Sequence, residues 1–279
     1  MKNTNSFIIL LLLGLCFSQD FEKVNKTPLQ GLTASPNPGK VETFLDFSYL
    51  ITKTKFDSIG HTQDNLNLKY LKNVLNIKVD YFGKHNSGVY ISFPIITNKY
   101  INDTLMNEIN TDVTLGLYFL YTPLPTNKSI KILRHKTSVF LRGNDSLSFG
   151  ISLASDFMFS EKLIISTHPS LLFTESGGID IKTRAVYNLM PSLSLGLELQ
   201  YFAGAYETFD NNSIERETAE LGSMVAIRPM LGYQLLSNVH SGYLNIERCN
   251  LLASWDYAFQ GETIYQKNNF QCGIQIYFN

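Results

Sequence analysis

Residues 178–203 read GIDIKTRAVYNLMPSLSLGLELQYFA. In the first half Ile179, Ile181, Thr183, Ala185 and Tyr187 share one parity, and Asp180, Lys182 and Arg184 the other. After a break at 188–192, Leu193, Leu195, Leu197, Leu199 and Tyr201 alternate with Ser194, Gly196, Glu198 and Gln200. Successive side chains of a strand point to opposite faces, so the stretch predicts a hairpin with one apolar wall and one charged wall. A soluble sandwich also alternates, but its apolar face is buried and its polar face meets bulk water. Strands of about ten residues, joined by tight turns and recurring to the end of the chain, favour a transmembrane β-barrel.

The same pattern extends outward in both directions. It predicts strands at 43–51, 64–82, 87–97, 110–121, 129–142, 146–157, 162–173, 178–188, 193–204, 218–234, 243–259 and 268–278. Twelve is even, as single-chain bacterial barrels require; because 243–259 alternates poorly, ten and fourteen stay open. Long connections (52–63, 98–109, 205–217) fall on one side. Short turns (82–86, 122–127, 158–161, 189–192, 235–238) fall on the other, which is the asymmetry of outer-membrane barrels. Segment 64–82 changes phase, from Leu66, Leu68 and Tyr70 to Leu75, Ile77, Val79 and Tyr81. A bulge at 71–73 accounts for the slip, and two separate strands are the alternative. The fold class is all-β: an antiparallel up-and-down transmembrane barrel over residues 42–279.

Residues 1–18 read as a secretory signal peptide, with Lys2 before a short apolar run and cleavage after Ser18. A lipoprotein signal at Cys16 is the rival reading, disfavoured by Leu15 before it. Residues 19–41, with three prolines and little periodicity, form either a periplasmic leader or a short segment in the lumen. Cys249 and Cys272 are expected about six residues out of register, roughly 20 Å apart at strand rise and too far to bridge. The 279 residues are 44% hydrophobic and 17% charged, with a net charge of -1, which gives no electrostatic footprint for nucleic acid.

Parity places Lys78, Asp80, Asp112, Arg142, Asp156, Asp180, Lys182, Arg184, Glu198, Glu220, Arg228 and Asp256 on the inner wall. One reading is a lumen whose charges orient a solute and set selectivity; the other is a closed interior filled by paired charges. Twelve strands make a backbone cylinder roughly 24 Å across, leaving a passage on the order of 10 Å unless a loop or the leader blocks it. His61, His85, His135, His168 and His240 have no metal-ligand spacing, and no Gly-x-Ser-x-Gly elbow occurs, so no metal, cofactor or catalytic set is expected. A barrel hydrolase would draw on His168, between Ser166 and Ser170. Aromatics near strand ends, among them Tyr81, Tyr187, Tyr201, Trp255 and Tyr277, suit interfacial girdles, whereas Tyr90 and Tyr118 are inward. The expected partners are the lipid bilayer, the outer-membrane insertion machinery and a small-molecule solute. On this phase Leu195→Arg or Leu197→Arg is costly and Ser194→Arg tolerated.

Phe56-Asp57-Ser58-Ile59-Gly60 followed by Gln63, then Tyr81-Phe82-Gly83-Lys84, Ile91-Ser92-Phe93-Pro94 and Gly232-Tyr233, are short motifs that carry a resemblance over about half the chain. The sequence resembles, through these motifs, the outer-membrane proteins grouped under the meta-pathway of phenol degradation. That family has a similar loop before a Tyr-Gly turn and a strand ending in an apolar-Pro pair; here Phe82 precedes the turn glycine. The resemblance implies a bacterial outer-membrane channel for small, often aromatic or apolar compounds, and supplies no catalytic residues.

Overall fold

The computed structural model describes residues 27–64, 70–83, 85–101, 104–106, 113–124, 127–143, 147–173, 177–209, 216–241, 244–262, 264 and 266–278. Twelve antiparallel strands close on themselves. They are β1 (Lys40–Thr52), β2 (Tyr70–Phe82), β3 (Ser87–Ile101), β4 (Val113–Tyr121), β5 (Ile132–Gly143) and β6 (Leu147–Met158). The other six are β7 (Leu163–Phe173), β8 (Gly178–Met190), β9 (Leu193–Phe209), β10 (Arg216–Ser241), β11 (Leu244–Glu262) and β12 (Asn268–Phe278). Each pairs with its neighbours in sequence, and β1 pairs with β12 from Val41↔Phe278 to Ile51↔Asn268, which seals the cylinder. Closure leaves no open sheet edge, the condition for crossing lipid with strands. No helix occurs among the described residues.

The apolar parity faces outward throughout. Leu195, Leu197 and Leu199 are exposed, as are Leu115, Leu117 and Phe119 on β4 and Phe149, Ile151 and Leu153 on β6. In water such a surface would be untenable; in a bilayer it is the lipid-facing band. Tyr81, Tyr187, Tyr201, Trp255 and Tyr257 belong to this surface, but Tyr277 does not: it is buried inside, with Arg248 over its ring at 4.2 Å. It sits one residue out of phase with Phe270 and Ile274, which is why parity turns it inward.

Two local expectations fail for physical reasons. Residues 71–73 pair regularly with 49–51, so no bulge lies there. The extra residue is Ile95 on β3, skipped between Asn76↔Pro94 and Leu75↔Ile96; Pro94 brings no N–H to that ladder. Leu66 and Leu68, which suggested the slip, lie outside the described residues. Residues 235–238 are no turn either. The β10–β11 hairpin continues to Ser241↔Leu244, with a register shift between Gln234 and Leu236 and with Asn238 at φ 53. The turn signal there is real but local: Asn tolerates the left-handed conformation inside a ladder as well as in a loop. The strand expected at 243–259 is present and described over Leu244–Glu262, its broken period coming from register shifts that skip Glu247 and Phe259.

Inward glycines make the interior habitable for rings. A Cβ at Gly88 would strike Tyr118, at Gly116 Tyr90, and at Gly150 Phe140, each on an adjacent strand. Cys249 and Cys272 are both free; Cys272 pairs with Ala253, four residues along β11 from Cys249, about 13 Å at strand rise.

Candidate functional site: the lumen

The end of the barrel with the turns 83–86, 159–162 and 191–192 is occupied by the chain itself. Residues 27–39 lie against the inner wall before β1 begins. Leu29 packs on Met158, Ile164 and Val186, and a Cβ at Gly232 or Gly196 would crowd it. Thr33 is fully buried: its hydroxyl donates to Asp156 Oδ2 (2.5 Å) and accepts from Arg134 Nε (2.5 Å), while its amide also points at the Asp156 carboxylate (3.3 Å). Arg134 Nη2 closes the set on Asp156 at 3.2 Å. Lys136 Nζ donates to the carbonyl of Ala34 (2.9 Å), Arg184 Nη1 to that of Gln30 (3.3 Å). An extended segment without strand partners needs such donors for its carbonyls, and the inner wall supplies them.

A ladder of charge crosses β8 to β12. Arg184, Glu198 and Arg228 stand directly opposite one another in the register, so alternation alone stacks them on one face. Glu198 meets Arg184 at 2.7 Å and Arg228 at 3.1 Å; Arg228 also grips Asp256, and Lys267 reaches Asp256 at 2.8 Å. A second cluster lies on β1, β2, β4 and β5. There Asp80 accepts from Tyr118 Oη (2.5 Å) and pairs with Lys78 (3.5 Å) and Lys136 (3.9 Å). Lys136 also lies over the Tyr118 ring at 3.8 Å. Buried pairs of this kind contribute little net stability against desolvation, but removing one partner is costly. They fix where charge sits.

At the opposite mouth the connection after β1 forms a small hairpin, Thr54–Phe56 with Thr62–Asp64. Phe56 N donates to Ile264 O (2.8 Å) and Gln266 N to Thr54 O (2.9 Å). The Phe56 ring is buried against Met224, Ala226 and Ala258, in space that Gly261 leaves free. Asp57 holds the hairpin tip, accepting from the amides of Ile59 and His61 (2.9 Å each).

Between the two obstructions lie cavities that share walls. One of about 340 Å³ is bounded by Leu29, Glu42, Lys78, Arg184 and Arg228. A second of about 330 Å³ is bounded by Lys78, Tyr90, Phe140, Arg142 and Lys182, and a third of about 270 Å³ by Lys72, Pro94, Thr114 and Arg142. Lys78 joins the first to the second; Thr114 and Arg142 join the second to the third.

The structure places Lys78, Asp80, Asp180, Lys182, Arg184, Glu198 and Arg228 in these clusters or cavity walls, and Asp180 pairs with Lys182 at 3.2 Å. Arg142 is exposed at the meeting of two cavities. Asp112 lies outside the described residues; for Glu220 only the backbone, paired with Tyr206, is described. Glu42, Arg134, Lys136 and Lys267 complete the clusters and were not singled out, whereas Tyr118 was expected inward. Arg134 and Lys136 carry the same parity signal as their neighbours Ser138 and Phe140, whereas Lys267 sits in a turn without periodicity. Ser166 accepts from Leu32 N and Ser170 donates to Asp180 O, so both hydroxyls are engaged away from His168. No group of three metal-ligating side chains occurs among the described residues.

No family model and no curated protein matches this sequence. Among solved structures, the crystal structure of an outer-membrane channel from Pseudomonas putida F1 is similar at a TM-score of 0.65 with 12% identity, over 90% of this chain and 98% of that one. The KdgM porin, solved with disordered oligogalacturonate, and the NanC porin align at a TM-score of 0.48, with 10% and 7% identity, over 84% and 85% of this chain and 98% of each. The likeness to the Pseudomonas channel is one of architecture: the chain has the closed twelve-stranded fold of outer-membrane channel barrels.

Proposed function

We propose that the protein is a channel of the bacterial outer membrane that passes small solutes through a narrow, charged lumen. The observation that carries this reading is the run of adjoining cavities, walled by ion pairs, between the segment 27–39 and the hairpin at Phe56. A barrel serving only as scaffold has no need of connected polar space at its centre. Aromatic or apolar solutes are the favoured cargo, supported by the resemblance to the phenol meta-pathway group and by Tyr90 and Phe140 in a cavity wall. In this reading residues 1–18 are removed on export, and β12, ending in Phe278, presents itself to the insertion machinery. No catalytic role is assigned.

A second reading, a mainly structural barrel, has one observation in its favour: the buried Thr33–Asp156–Arg134 anchor fills one end of the lumen. Proteoliposome swelling separates the two. Vesicles carrying folded protein are expected to swell in isotonic solutions of small bilayer-impermeant solutes such as phenylalanine or glycine faster than empty vesicles. Identical rates for both solutes would overturn the channel reading and leave the scaffold.

A further inference from the structure

Counting charges gives the lumen no sign; which partner of each pair faces the open space does. Around Asp80, Glu198 and Asp256 the acid is buried and a base reaches out, whereas Arg134–Asp156 is buried at both ends (1% and 2%) and Lys182–Asp180 is part-exposed at both (25% and 19%). The Lys78 side chain is 36% exposed against 2% for Asp80, and Lys267 26% against 1% for Asp256. Arg184 and Arg228 are 19% and 16% exposed against 0% for Glu198. Short carboxylates stay at the wall while long cationic side chains arch over them and bring their heads to the water. An ion in the passage therefore meets ammonium and guanidinium groups first, with the carboxylates behind them. The cationic excess is largest in the cavity of about 330 Å³, whose wall takes in Lys78, Lys136, Arg142 and Lys182 with Asp180 as the one carboxylate among the described residues that line it. Tyr90 and Phe140 give the same wall flat apolar surface.

We propose that this cavity binds a small organic anion, a carboxylate on an aromatic or short apolar body, and that the lumen passes anions in preference to cations. The passage rests on the channel reading above; the binding does not. The carboxylate is held by charge-assisted hydrogen bonds from Lys78, Lys182 and Arg142, and the ring lies on Tyr90 or Phe140. Lys78 and Lys182 are already part-exposed, so the anion replaces water at groups that keep their own counter-ions, Asp80 and Asp180.

Two measurements test this. The first is saturation-transfer NMR on the full chain in nanodiscs, with benzoate, benzyl alcohol and benzylamine as probes of nearly equal shape. Benzoate is expected to bind best, and Lys182→Gln and Arg142→Gln each to weaken it several-fold. Equal binding of the three probes, or no binding of benzoate, overturns the site. The wild-type comparison decides even if a variant fails to show the heat-shifted band of a folded barrel. The second is the reversal potential in a potassium chloride gradient. Chloride is expected to be the more permeant ion, with Lys182→Gln lowering the permeability ratio by up to about sixteenfold, since a unit charge about 5 Å from an ion's path in water favours the anion about fourfold and disfavours the cation about fourfold. Lys162→Gln, on the exposed turn 159–162, serves as a control expected to change neither readout. Cation preference overturns the proposed selectivity. A folded protein that stays silent overturns passage, and the benzoate measurement still decides the site.

Discussion

Thr33→Val tests the link between the inner segment and passage. The substitution keeps shape and volume and removes one hydroxyl, which in the structure joins Asp156 and Arg134 at 2.5 Å each. Hydrogen bonds to charged groups contribute about 1.5–3 kcal/mol each. Asp156 keeps Arg134 and the Thr33 amide, so the lower end applies, and the loss is about 3 kcal/mol for the pair. That is roughly a hundredfold change in the ratio of docked to undocked segment. Asp156→Ala is a poorer probe, because it strips the carboxylate from an Arg134 that is itself buried and costs the barrel about 3–5 kcal/mol as well. The assay is single-channel recording beside limited proteolysis in nanodiscs. Thr33→Val is expected to raise the frequency or duration of high-conductance episodes and to expose cleavage sites within 27–39. Unchanged conductance and unchanged protection, in a variant that still folds, would refute the assignment of this segment as the element narrowing that end.

Four other outcomes follow from the same structure. Leu197→Arg places a cation on the lipid face and is expected to cost about 2–4 kcal/mol near mid-membrane, measured by denaturant titration in vesicles. Ser194→Arg is expected to be damaging too, against the sequence reading, since Ser194 is fully buried and its hydroxyl donates to Asn188 at 2.7 Å. Glu198→Gln leaves Arg184 and Arg228 without the carboxylate between them and is expected to cost about 3 kcal/mol, the low end for a broken buried pair because both guanidiniums reach water; the same titration reads it. Asp57 is held below the usual carboxylate range, chiefly by the His61 amide and also by that of Ile59. The order it gives the 57–61 turn is complete above the ordinary carboxylate pKa and fades as pH falls through the lowered one. The protection factor of the His61 amide against hydrogen exchange should fall in acid, and at neutral pH in Asp57→Asn.

Period-two alternation carried the fold because a barrel in lipid imposes it on every strand: Leu195, Leu197 and Leu199 had to face outward together, and Glu198 had to face its neighbours inward. The same parity located the charges. It could not tell which member of a pair would be exposed, since Lys78 and Asp80 share one parity and differ only in reach. Irregularities were harder. The skipped Ile95 leaves its mark in the pairing of two strands, so no single-strand pattern shows it, and Asn238 gives the same turn signal inside a ladder as Asn86 gives in the true turn at 83–86. Residues 27–39 have no period at all; their place is set by carbonyls meeting donors such as Lys136 and Arg184, contacts that exist only once the barrel has closed.

The most direct test of the central claim is planar-bilayer conductance of detergent-refolded protein, taken from the band that migrates differently with and without boiling. The account predicts a heat-shifted band that gives discrete conductance steps at low salt. A shifted band that inserts and never conducts would contradict the channel, and a band that does not shift would contradict the barrel itself.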